Sequence, residues 1–181
     1  EAFHDCGSLA SITIPESVTR IGREAFYGCS SLTNIAFPKS VTSIGNWAFY
    51  GCSSITSITI PEGVMSIGHQ TFRGCSSLAS LTIPESVTSI GNMAFWDCSS
   101  LTSITIPERI TNIDSLGLED AKCFADADGH IIVNQVYIRY CGKSPCVVVP
   151  DSVTSIGNNA FRYCESIVSI TIPESVTSIG K

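Results

Sequence analysis

The chain has 181 residues, of which 44% are apolar, and its mean hydropathy is +0.28. This length suits one domain with a buried core, and the apolar content excludes a disordered acidic tail. Only 14% of the residues are charged, with a net charge of −6, so a basic nucleic-acid-binding surface is not expected. No apolar run approaches the roughly 20 residues of a membrane span, and no signal peptide is predicted.

Three residue types recur along the chain at a fixed step of 23 residues. Phenylalanines occupy positions 3, 26, 49, 72 and 95, cysteines occupy positions 6, 29, 52, 75 and 98, and prolines occupy positions 15, 38, 61, 84 and 107. The same phase returns at Pro150, Phe161, Cys164 and Pro173. A period of this length indicates a solenoid, in which each repeat forms one coil and neighbouring coils share a core.

The elements of one coil can be predicted from residue pattern. Leu81–Ile83 alternates apolar and polar residues and contains β-branched ones, which predicts a short strand that ends at Pro84. Val87–Ile90 predicts a second short extended segment. We expect Gly91 to turn the chain with a positive φ, and Asn92–Phe95 to form a short helical or 3₁₀ turn that buries its phenylalanine.

The chain resembles the BspA-like leucine-rich repeats, also called the Treponema pallidum type, through the repeat Ile-Pro-Glu-Ser-Val-Thr-Ser-Ile-Gly-x-x-Ala-Phe-x-x-Cys-Ser-Ser-Leu-Thr-Ser-Ile-Thr. The resemblance covers residues 1–113 and 147–181. We therefore expect one β-rich, right-handed, curved leucine-rich-repeat solenoid of about seven coils over residues 1–181. Because no polar cap is visible, we expect a fragment of a longer array or ends that associate end to end.

Residues 114–146 break the repeat. The departures are Asp114 in place of the glycine, Gly117-Leu118 in place of Ala-Phe, and Cys123 two places late. Two β-rich runs around Asn134-Gln135 predict an inserted β-hairpin, and the resemblance supports it. The sequence does not decide the type of its turn. The insertion is either a contact element, with Tyr137 and Tyr140 as secondary binding candidates, or a padded coil that adjusts the superhelix.

The nine cysteines do not predict a disulfide scaffold. Periodic cysteines lie one coil apart, at about 4.8 Å, whereas a disulfide needs roughly 3.5–4.5 Å between Cβ atoms. We expect a ladder of free, buried thiols at Cys6, Cys29, Cys52, Cys75 and Cys98. Cys141 and Cys146 lie outside the period and close together in sequence, and the sequence does not decide whether they form a disulfide.

No catalytic or metal-binding motif accompanies the three histidines, His4, His69 and His130. Asp126–Gly129 resembles part of a calcium loop, but Tyr137 stands at the twelfth position, where an EF-hand needs an acidic ligand. We interpret this segment as a polar turn before the hairpin. We therefore expect no enzyme activity, no cofactor and no metal.

Three exposed surfaces could bind a partner. The strand face carries hydroxyl groups, and Thr59, Thr82 and Thr105 on it are secondary binding candidates. This face could dock an extended glycan or polypeptide, or its threonines reflect β-propensity alone. The residue after each Ile-Pro pair, or its equivalent, forms a mostly acidic row that could meet a basic partner or keep the surface solvated. This row is Glu16, Lys39, Glu62, Glu85, Glu108, Asp151 and Glu174.

The third surface follows the Ala-Phe pair, where the residues vary most: His4, Tyr27, Tyr50, Arg73, Trp96 and Arg162. These side chains should stack along one edge of the solenoid. Tyr, Trp and Arg are enriched at binding hot spots, although cation–π stacking of Arg73 between Tyr50 and Trp96 would also explain them structurally. We take Tyr27, Tyr50, Arg73, Trp96 and Arg162 as the first binding candidates.

The resemblance implies an extracellular or cell-surface protein that adheres to host matrix or surface glycoproteins, such as fibronectin and fibrinogen. The leading hypothesis is a non-enzymatic protein- or glycan-binding module without nucleic-acid partners or membrane insertion. The alternative is a structural spacer or a self-associating array inside a larger extracellular protein.

Overall fold

The computed structural model describes residues 1–110, 118 and 125–181, and the chain forms two compact units, Glu1–Ala121 and Lys122–Lys181. In the described residues all regular elements are short β-strands. The same residues contain no helix long and apolar enough to cross a membrane. The departures predicted at Asp114, Gly117 and Cys123 lie outside the described residues. That residues 1–181 form a single solenoid stays a prediction.

The described residues of the first unit form two parallel sheets, each of which takes one strand from successive coils. One sheet has the order β1-β2-β4-β6, formed by Arg20–Ile21, Ser43–Ile44, Ser66–Ile67 and Ser89–Ile90. The other has the order β3-β5-β7, formed by Ser57–Thr59, Ser80–Thr82 and Ser103–Thr105. Paired residues are 23 positions apart, as in Thr59–Thr82. The predicted β-solenoid with two short extended segments per coil is confirmed.

A file of phenylalanines runs through the core of the first unit. The rings of Phe26 and Phe49 stack with centroids 5.2 Å apart and planes 10° apart, and Phe72 and Phe95 stack at 6.0 Å. Near-parallel rings at such distances combine apolar burial with favourable offset stacking. Buried Leu, Ile and Val residues flank this file, so successive coils share one continuous core.

The segment after each glycine is a series of turns that does not continue into a helix. Trp96 N–H bonds to Met93 O at 3.3 Å, and Cys98 N–H bonds to Phe95 O at 3.2 Å. Met93 and Asp97 have left-handed φ angles of 54° and 60°. Such residues interrupt right-handed helical geometry, so each turn closes locally and the chain reverses direction.

Gly91 is required for close approach between coils, and its φ is not positive, contrary to the expectation above. A Cβ atom added to Gly91 would lie 2.4 Å from the His69 backbone nitrogen in the preceding coil. At Gly22, which starts the same series, nothing lies within 4 Å of such an atom. The glycine therefore recurs because a neighbouring backbone passes where its side chain would be.

Gly91→Ala should lower the free energy of unfolding by about 1–3 kcal/mol, because the new methyl group overlaps backbone that cannot move independently. Gly22→Ala is the matched control and should leave stability within about 0.5 kcal/mol. Urea unfolding followed by circular dichroism measures both. Equal stability of the two variants would contradict close coil contact as the reason for the glycine.

The second unit contains the predicted hairpin, β8 (His130–Val133) and β9 (Val136–Tyr140). Asn134 and Gln135 both have positive φ, 48° and 65°, which is a type I′ turn. From residue 125 onwards, the other strands of this unit are β10 (Cys146–Val148), β11 (Ser155–Ile156), β12 (Ser169–Thr171) and β13 (Ser178–Ile179).

The hairpin is built into a sheet of the second unit, in the order β13-β11-β9-β8. β9 pairs in parallel with β11, as the strand of a regular coil does, while β8 adds an antiparallel edge. Tyr137 and Tyr140 are buried in the core of this unit against Val147 and Val149. These two tyrosines therefore have packing positions and present no exposed ring, which favours the padded-coil interpretation.

Candidate functional site

The edge residues of the first unit stack as the sequence predicts. The His4 and Tyr27 rings, and the Tyr27 and Tyr50 rings, have centroids 4.6 Å apart and are parallel within 2°. The Arg73 guanidinium continues the file, 5.5 Å from the Tyr50 ring and 6.0 Å from the Trp96 ring. We call Tyr27, Tyr50, Arg73 and Trp96 the edge ladder; all four side chains are half-buried.

Arg162 is the one first-rank candidate that lies in the second unit. It is exposed, and its guanidinium lies 4.6 Å from the ring of Tyr163. Arg162 therefore also pairs with an aromatic ring, but it is not a member of the edge ladder of the first unit.

A second row lies beside the edge ladder and was not predicted. The Arg23 guanidinium lies 4.7 Å from the Trp47 ring, and Trp47 Nε1 donates a hydrogen bond to Gln70 Oε1 at 3.1 Å. Arg73 Nη1 approaches the same oxygen at 3.4 Å, so Gln70 joins the two rows. The signal in the sequence is weak because positions 24, 47, 70 and 93 recur in phase but hold chemically different residues.

Arg73 is held mainly by packing. Its Nε is buried without a hydrogen-bond partner, and the Asp97 carboxylate at 3.9 Å is beyond hydrogen-bond distance. Desolvation, followed by the neighbouring Tyr50, raises the pKa of Tyr27, whose hydroxyl therefore stays protonated and can both donate and accept. The ladder thus offers hydroxyl groups, ring edges and one guanidinium in fixed positions.

The two other predicted surfaces also lie on the outside. Thr59, Thr82 and Thr105 are exposed, in register on β3, β5 and β7. All members of the acidic row are exposed, and Arg109 lies 3.9 Å from Glu85.

The buried thiols make a hydrogen bond that the sequence did not indicate. In Cys29, Cys52, Cys75 and Cys98 the Sγ atom donates to the phenylalanine carbonyl 26 residues earlier, at 3.0–3.2 Å. Each thiol therefore ties its coil to the preceding one. The expected burial is wrong for Cys6, which is exposed. Cys141 and Cys146 are both free thiols.

Asp126, Asp128 and His130 bring potential metal-ligand atoms within 4.8 Å of one another. The Asp126 carboxylate already accepts the N–H groups of Asp128 and His130, at 3.0 and 2.9 Å, which is the expected polar turn. The buried hydroxyl of Tyr137 lies 2.6 Å from His130 Nδ1. These two groups share a hydrogen bond, which gives each buried polar group a partner within the second unit. The cluster therefore has a structural explanation.

The family model described as the BspA type leucine-rich repeat region matches residues 1–125 and 131–181, in six copies. The chain belongs to this family. The resemblance drawn from the repeat motif is confirmed. No curated protein gives a significant match.

Solved structures of other bacterial leucine-rich repeat proteins are similar to this BspA-type chain. The leucine-rich repeat protein of T. pallidum is 28% identical, with a TM-score of 0.58 over 99% of this chain and 64% of that one. A protein from Bacteroides ovatus is 23% identical, with a TM-score of 0.59 over 99% of this chain and 59% of that one. The pneumococcal vaccine antigen PcpA is 21% identical, with a TM-score of 0.53 over 95% and 47%. The chain thus spans less than two thirds of each of these proteins.

In this BspA-type chain we expect thiol reactivity to follow burial. Ellman's reagent should label Cys6 and Cys146 rapidly, whereas Cys29, Cys52, Cys75 and Cys98 should react only after unfolding. Peptide mass spectrometry after a short native pulse assigns each site. Rapid labelling of Cys75 in the folded protein would show that the ladder is not closed to solvent.

We also expect stability to fall at alkaline pH. Burial raises the pKa of Cys52 and Cys98 from 9.0 to about 12, so the unfolded chain releases protons that the folded chain retains. The free energy of unfolding should therefore decrease from about pH 9 towards 12, by at most about 1.4 kcal/mol per pH unit for each thiol. Equilibrium unfolding at several pH values measures the slope.

Cys52→Ala combined with Cys98→Ala should make this alkaline slope shallower. The matched control, Cys6→Ala with Cys146→Ala, removes exposed thiols and should leave the slope unchanged. Identical slopes for the two variants would mean that the buried thiols do not cause the pH dependence.

Proposed function

We propose that this chain is a non-enzymatic binding module that docks a protein partner through the edge ladder. The observation that carries the proposal is that Tyr27, Tyr50, Arg73 and Trp96, all of hot-spot residue types, form one half-exposed file on consecutive coils. Membership of a leucine-rich repeat family supports a binding role, because stacked repeats give extended surfaces for partners.

Stacking prepares the ladder for binding. Free tyrosine, tryptophan and arginine side chains lose rotamer freedom when a partner immobilises them, at about 0.5–1.5 kcal/mol each. Here neighbouring rings 4.6 Å apart already restrict Tyr27 and Tyr50, and Gln70 restrains Trp47 and Arg73. Much of that entropic cost is therefore met in the free protein, and more of the contact energy reaches the affinity.

The geometry favours a protein over a glycan at this site. A sugar ring that stacks on an aromatic side chain needs an uncovered ring face. The faces of Tyr27 and Tyr50 cover each other, which leaves edges and hydroxyls to contact a partner. Hydroxyls, ring edges and a guanidinium match the backbone carbonyls and carboxylates of a polypeptide. The partner that we propose is a host extracellular matrix or surface glycoprotein, contacted through its polypeptide.

We place the parent protein at the cell surface or outside the cell. The family resemblance supports this location, and one of the similar structures bears the name of a vaccine antigen. A spacer or self-associating array is the alternative, in which the ladder would only stabilise coil stacking. Antibody labelling of intact, non-permeabilised source cells tests the location, and labelling that requires permeabilisation would contradict it.

Replacing Tyr27, Tyr50 and Trp96 by alanine should weaken saturable binding to immobilised fibronectin or fibrinogen by roughly thirtyfold or more, since hot-spot truncations cost about 2 kcal/mol or more. The control replaces Thr82 and Thr105 by alanine on the strand face and should bind as the parent does. Circular dichroism confirms folding of both. Tyr27→Phe with Tyr50→Phe keeps the stacking and isolates the hydroxyl contribution.

Equal binding by the parent chain and the ladder variant would place the contact elsewhere on the solenoid. Binding confined to a glycan array, or absent from a folded monomer of the parent chain, would argue against a polypeptide partner and favour the spacer.

A further inference from the structure

The second coil of the first unit (coil 2, residues 29–51) departs from the repeat on its strand face, next to coil 3 (residues 52–74). Thr-Ile-Pro-Glu stands at residues 13–16, 59–62, 82–85, 105–108 and 171–174. Coil 2 has Ala36-Phe37-Pro38-Lys39 instead, so three of four consecutive positions change; residues 148–151, Val-Val-Pro-Asp, also change at three positions but keep an acidic fourth residue. Repeated residues are explained by the packing that repeats with them, and a concentrated departure needs a local explanation.

The hydroxyl-bearing sheet is interrupted at the same place. Ala36 forms an isolated bridge with Thr13 in the coil before it, whereas β3 in the coil after it is the edge strand of the order β3-β5-β7. Coils 2 and 3 meet again on both sides: Thr56 N–H approaches Thr33 O at 3.5 Å, and Met65 N–H bonds to Thr42 O at 3.1 Å. The opening between the two coils is therefore a slit that is closed at both ends.

This slit has a volume of about 410 Å³ and lies between residues 34–39 and 57–62. Its volume lies within the range of ligand pockets, about 300–1,000 Å³. Ile35, Ile58 and Ile60 contribute buried apolar side chains to its lining. Phe37 reaches inwards, where its ring meets Phe49 edge-on at 5.6 Å, and Ala36 leaves the space that the threonine side chain fills in other coils.

Opposite charges lie on the two sides of the slit. Lys39 on coil 2 is the one basic member of the otherwise acidic row, and Glu62 faces it from coil 3. Within the described part of the chain, neither residue forms an ion pair within 4.0 Å. A complementary ligand must therefore combine an apolar group with one negative and one positive charge, and a strongly acidic ligand would be repelled by Glu62.

We propose that the slit is a second binding site, which takes a peptide segment of a partner protein whose apolar side chain is flanked by one acidic and one basic residue. The apolar side chain enters the slit against Ile35, Ile58 and Phe37. The acidic residue meets Lys39 and the basic residue meets Glu62. Because the slit closes at both ends, it accepts a side chain and not a full strand. It shares no residue with the edge ladder.

The test reverts coil 2 to the repeat with Ala36→Thr, Phe37→Ile and Lys39→Glu. The reversion supplies the residues that neighbouring coils use, so it should fold with an unchanged or higher melting temperature. The probe is an array of synthetic nine-residue peptides with a central Leu or Phe, flanked by one acidic and one basic residue, by two acidic, by two basic or by two neutral residues. An acidic oligosaccharide array is tested in parallel.

We expect saturable binding of the mixed-charge peptides by the parent chain, and at least about tenfold weaker binding by the reverted chain. Lys39→Glu alone should weaken binding, whereas Glu108→Lys, which makes the opposite change in the same row of a regular coil, should not. Tyr27→Ala with Tyr50→Ala should keep peptide binding, which separates this site from the edge ladder. Equal binding by parent and reverted chains, no charge preference, or binding of oligosaccharides alone would each overturn the proposal.

Discussion

The backbones of successive coils lie so close together that the space between them decides which residue can stand at each position. Gly45, Gly68 and Gly91 precede the turns of successive coils because the preceding coil leaves no room for a Cβ atom. A cysteine recurs because its thiol both fills a small apolar site and donates to a carbonyl of that same preceding coil, as Cys75 does to Phe49. Both residues act between coils, so the constant spacing of 23 residues in the first unit keeps these contacts in register.

The same close register acts on the exposed side chains. Equivalent residues on neighbouring coils lie one strand spacing apart, which is also the distance at which planar groups stack. Tyr27 and Tyr50 therefore form an ordered file on the outside, as Phe26 and Phe49 do in the core. A solenoid of this kind gains a preorganised surface without a loop or a lid, since repetition alone brings residues of one type together.

The sequence was sufficient to predict the features that depend on the position of a residue within the 23-residue repeat. It predicts the two kinds of strand in the coil, the phenylalanine core, the hairpin around Asn134 and the stacking of Arg73 between rings. It did not predict the features that depend on contacts between individual atoms of neighbouring coils, at distances of about 3 Å. Gly91 was expected to supply a positive φ, yet Met93 and Asp97 carry the left-handed backbone without being glycines. A period shows that two residues face each other, whereas it cannot show whether backbone or side chain occupies the space between them.

Tyr137 and Arg73 show why the exposure of a side chain is harder to predict from the sequence than its place in the repeat. Both look like binding residues by type, but Tyr137 replaces a core position within an irregular coil and Arg73 stands at an edge position of a regular one. In a repeat protein, a residue that recurs in phase is explained by the packing that recurs with it. A residue that departs from the repeat without entering the core has no such explanation. Ala36 and Lys39 are departures of that kind, and their neighbour Phe37 has changed the core beneath them. Specificity in such a fold can therefore arise where the repeat is broken at a few neighbouring positions, while the unbroken coils on either side hold the altered site in place.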